Sequence, residues 1–122
     1  MFSAFALKYG LNEQQALKLA SPFGGGIARS GHVCGAVTGA LLAIGLQHGA
    51  AAPGCKEETY KVASEFLRQF KTRRRTILCR ELIGLDISTP AGMQRAREQG
   101  IVAAICPALV KDAVEIAASL ME

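Results

Sequence analysis

Four cysteines, Cys34, Cys55, Cys79 and Cys106, are the residues of this chain richest in chemistry. None belongs to a CxxC pair, so the signatures of a thioredoxin motif, a zinc ribbon and c-type haem attachment are missing. Each falls at or near the start of a predicted helix. Cys34 follows Gly31 and His32, Cys55 follows Pro53 and Gly54, Cys79 precedes Arg80 and Glu81, and Cys106 precedes Pro107. A helix N-terminus presents unpaired N–H groups and a partial positive charge, and both favour thiolate over thiol. Arg80 and Lys56 are expected to add to that field. Helix starts that converge would make an electropositive pocket ringed with sulfur, suited to dithiol chemistry or to a metal. Against this stands the common use of cysteine as a small buried hydrophobe. Cys55, in a loop-like stretch, is the expected bystander.

Glycine and histidine supply the remaining candidates. Gly35 and Gly39 lie four apart in an Ala-rich stretch, and glycine costs a helix about 1 kcal/mol against alanine. Something must therefore approach that backbone closely, either a neighbouring helix or a cofactor or disulfide partner beside Cys34. Phe23-Gly24-Gly25-Gly26-Ile27 lacks the GK[ST] ending and the preceding strand of a phosphate loop. It is expected to let the chain fold back beside Cys34, with Gly25 and Gly26 on the site. His32, two residues from Cys34, could lower a thiol's pKa or share a metal. His48 is the weaker histidine. The basic run Lys71 to Arg75 reads as a solvated helix end rather than a phosphate or nucleic-acid contact, since it has no interleaved aromatics.

The elements that must position these groups read as helices. A short apolar stub, Phe2 to Lys8, closes at Tyr9 and Gly10. Asn12 caps a helix to about Leu19, and Ser21, Pro22 and the glycines end it. Val33 to Leu46 is the central helix. Glu57 to Lys71 is amphipathic, with Tyr60, Ala63, Phe66, Leu67 and Phe70 on one side. Cys79 to Leu82 is stopped by Gly84, Asp86 to Pro90 turns, and Ala91 to Gln99 ends at Gly100. Pro107 suits the first position of a last helix, Ala108 to Met121. No strand shows alternation. The expected fold is all-α, one domain over 1–122, a compact bundle of about five or six helices.

Composition sets limits. Half the residues are hydrophobic and a fifth charged, with a net charge of +4 and two Tyr, five Phe and no Trp. That excludes a disordered chain, a collagen and a coiled-coil rod, and it is too weakly basic to argue for nucleic acid. From Gly31 to Cys55 there is no charge, yet Val33 to Leu46 is shorter than the ~20 residues of a membrane span. The N-terminus has no signal-peptide pattern. A reducing cytoplasmic compartment is the expectation, with cysteines free, metal-bound or redox-cycling.

Cys34-Gly35-Ala36-Val37-Thr38-Gly39 is a CGAxxG motif. With Phe23 to Ile27, Val33 to Ala40, Cys79 in Cys-Arg-Glu-Leu-Ile-Gly84 and Cys106 in Cys-Pro-Ala-Leu-Val110, it resembles the redox-active family named for its C_GCAxxG_C_C cysteine pattern. The resemblance spans nearly the whole chain. The family usually carries its first cysteine in an N-terminal helix reading like Asn-Cys-Ala-Gln-Ala-Val, and nothing here matches that. The reading frame is therefore expected to start upstream of Met1. Cys55 matches no family cysteine, so one of four functional thiols is expected to be missing from this sequence. The resemblance implies a helical protein with redox-active cysteines, distantly similar to split-Soret cytochromes, and it supplies neither substrate nor haem.

The leading expectation is a redox protein, an oxidoreductase if it is an enzyme. Cys34, Cys79 and Cys106 would exchange thiol for disulfide, or transfer electrons through an iron–sulfur or other metal centre. The fourth ligand would come from the missing cysteine, His32, Cys55 or a second subunit. Gly25, Gly26, Gly35, Gly39 and His32 are the expected cofactor contacts. A redox partner protein, a small thiol or disulfide, or a second copy would be the partner, with no nucleic acid and no membrane span. The alternative is a non-catalytic helical module that binds a partner or dimerises through its Gly/Ala-rich helix, its cysteines structural. An enzyme with one cysteine nucleophile is the third reading.

Overall fold

Capping chemistry divides the chain. The computed structural model describes residues 1–52, 54 and 56–121. Among them are seven α-helices: α1 Ser3–Ala6, α2 Glu13–Ala20, α3 Gly35–His48, α4 Glu57–Arg74, α5 Cys79–Ile83, α6 Pro90–Gln99 and α7 Ile101–Leu120. The all-α class stands, with one or two more helices than expected. The break at Pro53 and every role given to Cys55 fall outside the described residues. Asn12 caps α2 through a reciprocal pair, its Oδ1 accepting from Gln15 N–H and its own N–H donating to Gln15 Oε1. Gly84 and Gly100 end α5 and α6 in the left-handed region, where glycine carries no Cβ penalty.

The main core is made where α3, α4 and α7 pack against one another. Helix α3 brings small residues, among them the fully buried Ala40 and Ala43, so α4 and α7 can come close. Helix α4 sets Phe66 and Phe70 into the gap, their rings stacked with centroids 6.0 Å apart. Helix α7 buries Leu109, Ala113, Ile116 and Ala117, one stripe of its surface. Tyr60, expected on the apolar side of α4, is exposed. Arg73 and Arg74 do not simply face solvent: they pair with Asp112 and Glu115 of α7, Arg74 Nε lying 2.5 Å from Asp112. Among the described residues no helix is long and apolar enough to cross a membrane.

Helix α7 departs most from expectation. It begins at Ile101, not after Pro107, and carries the proline inside. Gly100 lets the chain restart a helix immediately after α6. The added turns place Ile101 and Ile105 against a second, smaller core of Cys79, Ile83, Ile87 and Ala96. That burial offsets the proline, which lacks an N–H and costs a helix interior about 3 kcal/mol. Cys106 is therefore a mid-helix residue and not a helix-start residue.

Candidate functional site: a cavity bearing three thiols

One antiparallel bridge, Val33 with Leu78, ties the segment entering α3 to the segment entering α5. Cys34 N–H donates to Ile77 O at 2.7 Å, and Cys79 N–H donates to His32 O at 2.6 Å. Each cysteine follows its bridge residue and opens its helix: Cys34 is the N-cap of α3 and Cys79 the first residue of α5. Cys34 lies opposite Ile77, so Cys79 is its diagonal neighbour on the same face of the bridge. Such neighbours stand about 7–8 Å apart.

A left-handed turn closes over this pair. Gly25, Gly26, Ile27, Ala28 and Arg29 all have φ between 50° and 68°. L-residues pay roughly 1–2 kcal/mol each there, and internal hydrogen bonds hold the turn, among them Ala28 N–H to Pro22 O at 2.8 Å and His32 N–H to Gly26 O at 3.0 Å. Arg80 adds a clamp, its guanidinium donating to Ser30 O and Gly31 O. The close approach explains Gly26: a Cβ there would come within 2.6 Å of Cys79 Cβ. The same holds for the glycines of α3. A Cβ on Gly35 would stand 3.0 Å from Phe23 O, and one on Gly39 would stand 3.1 Å from Met1 Cγ. The approaching backbones are thus this loop and the N-terminal segment.

Between the two cores is a cavity of about 370 Å³. Cys34 belongs to the main core and Cys79 to the smaller one, and both are buried. Both line the cavity, and Cys106 lines it from α7. All three are free thiols. Gly25, Gly26, Gly35 and Gly39 are on the wall as well. The sequence marked these seven residues; Ile83 and Val110 stood in the quoted cysteine motifs without a role at the site, and Ile87 and Val102 were unmarked, yet these four complete the apolar side. Their spacing reads only as ordinary core.

Two of the sulfurs, those of Cys79 and Cys106, are not in the electropositive setting that helix starts suggest. Burial pushes the Cys79 thiol up to about 11, and negative charge on Cys34 and then Cys106 acts the same way. Burial raises the Cys106 thiol too, with Cys34 adding to it. The five-residue α5 brings too little dipole to outweigh desolvation at Cys79, Cys106 has no helix end near it, and Arg80 spends its charge on loop carbonyls. The expected thiolate at Cys79 is corrected to a thiol.

His32 is also corrected. Its carbonyl holds Cys79, but its side chain is exposed and absent from the cavity wall. His48 lies at the far end of α3. Among the described residues, no three His, Cys, Asp or Glu side chains are grouped to hold one metal ion. Among the described residues the three cysteines share one cavity without being grouped around a single metal ion.

Residues 1–120 match the family model described as "Putative redox-active protein (C_GCAxxG_C_C)". No curated protein and no solved structure matches the chain.

Proposed function

The chain belongs to the C_GCAxxG_C_C family, and from that premise we propose that it is a dithiol–disulfide redox protein whose working pair is Cys34 and Cys79, with Cys106 as a third sulfur in reserve. One observation carries the reading: three free thiols from α3, α5 and α7 open into a single cavity.

Cys34 is the attacking sulfur in this reading, because burial holds the thiols of Cys79 and Cys106 protonated, while Cys34 is the N-cap of the long helix α3. Its Sγ attacks one sulfur of an oxidised partner, forming a mixed disulfide and releasing the other sulfur as thiolate. Cys79, held protonated by burial, gives its proton to that thiolate, and its own sulfur then attacks Cys34 Sγ, breaking the mixed disulfide and releasing the partner's second sulfur as thiolate. The Cys34–Cys79 bond forms, the partner leaves with two electrons, and the protein is oxidised.

The bridge that carries both cysteines makes the second step local. A disulfide needs Cα atoms about 5.5–6 Å apart, so a diagonal pair at about 7–8 Å closes with a small shift of the short α5. Diamide oxidation of the reduced full chain tests the proposal. Intact mass is expected to fall by two hydrogens and peptide mapping to join Cys34 to Cys79, with Cys34→Ser abolishing that product. A protein that keeps both thiols under diamide, while its fold holds by circular dichroism, overturns it.

A further inference from the structure

The wall of the cavity says which oxidant it can take. Among the described residues, no lining side chain carries a nitrogen or an oxygen; the polar side-chain atoms are the cysteine sulfurs. The guanidinium of Arg80 is bound to Ser30 and Gly31 carbonyls, and His32 is not on the wall. A charged thiol or disulfide would enter without any lining side chain to pair its carboxylates or amines, which is costly. An uncharged, apolar molecule pays no such penalty.

Two further features narrow the class. Phe2 and Phe23 are on the wall, giving aromatic surface for a flat ring. Gly35 and Ala36, the first two residues of α3, are there too. Their N–H groups belong to the first turn, which a helix leaves without carbonyl partners. A carbonyl oxygen beside Cys34 would satisfy them; a dialkyl disulfide offers no comparable acceptor. The volume, about 370 Å³, falls in the range of roughly 300–1,000 Å³ typical of small-molecule sites.

We infer that this cavity binds an uncharged quinone as the oxidant of the cysteine pair. The inference rests on the dithiol reading and names its substrate class. The S–H bonds of Cys34 and Cys79 break and an S–S bond forms. The two electrons and two protons reduce both quinone carbonyls to hydroxyls, and a hydroquinone leaves.

The probe is duroquinone, whose four methyl groups block addition of thiols to the ring. Reduced full chain is mixed anaerobically with duroquinone, with glutathione disulfide, or with diamide. Duroquinone is expected to produce hydroquinone and the Cys34–Cys79 bond at a rate that saturates, on the order of tenfold or more faster than the charged disulfide. Val102, 42 % exposed at the cavity mouth, gives a second handle. Val102→Glu, checked for fold by circular dichroism, is expected to slow duroquinone by on the order of tenfold through the carboxylate it places there. If diamide joins the cysteines but duroquinone leaves them reduced, or the charged disulfide is as fast, or Val102→Glu changes nothing, the quinone assignment is wrong and the dithiol reading stands. If diamide itself makes no bond, the dithiol reading fails first.

Discussion

Cys34 and Cys79 are bound to each other's segments before any sulfur bond exists: Cys34 N–H reaches Ile77 O and Cys79 N–H reaches His32 O, either side of the Val33–Leu78 bridge. The backbone thus ties together the segments that carry the two thiols, 45 positions apart in sequence (79 − 34). An S–S bond there would close a long loop that the fold has already closed. Chain entropy then favours the oxidised native state by up to about 4 kcal/mol, less any native-state strain. The oxidised protein is expected to melt above the reduced one, and Cys79→Ser should lose the difference. Scanning calorimetry with and without reductant measures it, and equal melting temperatures would count against the pair.

Burial of Cys79 makes stability depend on pH. An unfolded chain ionises this thiol near 9.0, the folded protein only at about 11. Between those values the unfolded state binds fewer protons, so stability is complete below 9 and falls as pH rises toward 11. The raised Cys106 thiol acts in the same direction. Guanidinium unfolding of the reduced protein at pH 8 and pH 10 should show the loss, and Cys79→Ala should shrink it. In iodoacetamide labelling at pH 8, Cys79 should be modified more slowly than Cys34.

Two glycines should respond to alanine with opposite sign. Gly26 has a φ of 68°, and its Cβ would lie 2.6 Å from Cys79 Cβ and 2.7 Å from His32 N. Gly26→Ala is expected to cost about 2–4 kcal/mol, combining left-handed strain with overpacking, and to change the labelling rate of Cys79. Gly45, inside α3, has nothing within 4 Å of such a Cβ. Gly45→Ala should stabilise by about 0.5–1 kcal/mol. Thermal melts of both variants decide the matter.

What could be read from the residues divides along physical lines. Local signals carried through: Asn12, Gly84 and Gly100 stop or start helices because capping is settled within a few residues. Cys34 and Cys79 open helices as expected for the same reason. The Val33–Leu78 bridge is a single residue pair, too short for any alternation to reveal. The left-handed turn was hidden because Ile27, Ala28 and Arg29 are residue types that rarely take positive φ. The state of the thiols failed for a different reason: a helix dipole is readable from sequence, but the desolvation that outweighs it at Cys79 depends on what packs around it. The same applies to Tyr60 and His32, whose exposure is decided by neighbours distant in sequence.

Pro107 is the residue where local preference and tertiary packing disagree most openly. It suits a helix start, yet α7 runs through it because Ile101 and Ile105 on its N-terminal side cover the smaller core. Its missing N–H leaves Ala103 O without the usual partner one turn back, next to Cys106. Pro107→Ala would restore that hydrogen bond and remove the ring's clash, so it is expected to stabilise the protein by about 1–3 kcal/mol. The gain should fall on the turn that carries Cys106. Hydrogen exchange should therefore slow at Ala104 to Ala108 in the variant. Disulfides involving Cys106, measured in a Cys79→Ser background where Cys106 is the remaining partner of Cys34 among the described thiols, should form more slowly if that turn must open for the sulfur to reach. A faster reaction, or an unchanged melting temperature, would mean that the turn is already rigid with proline in place.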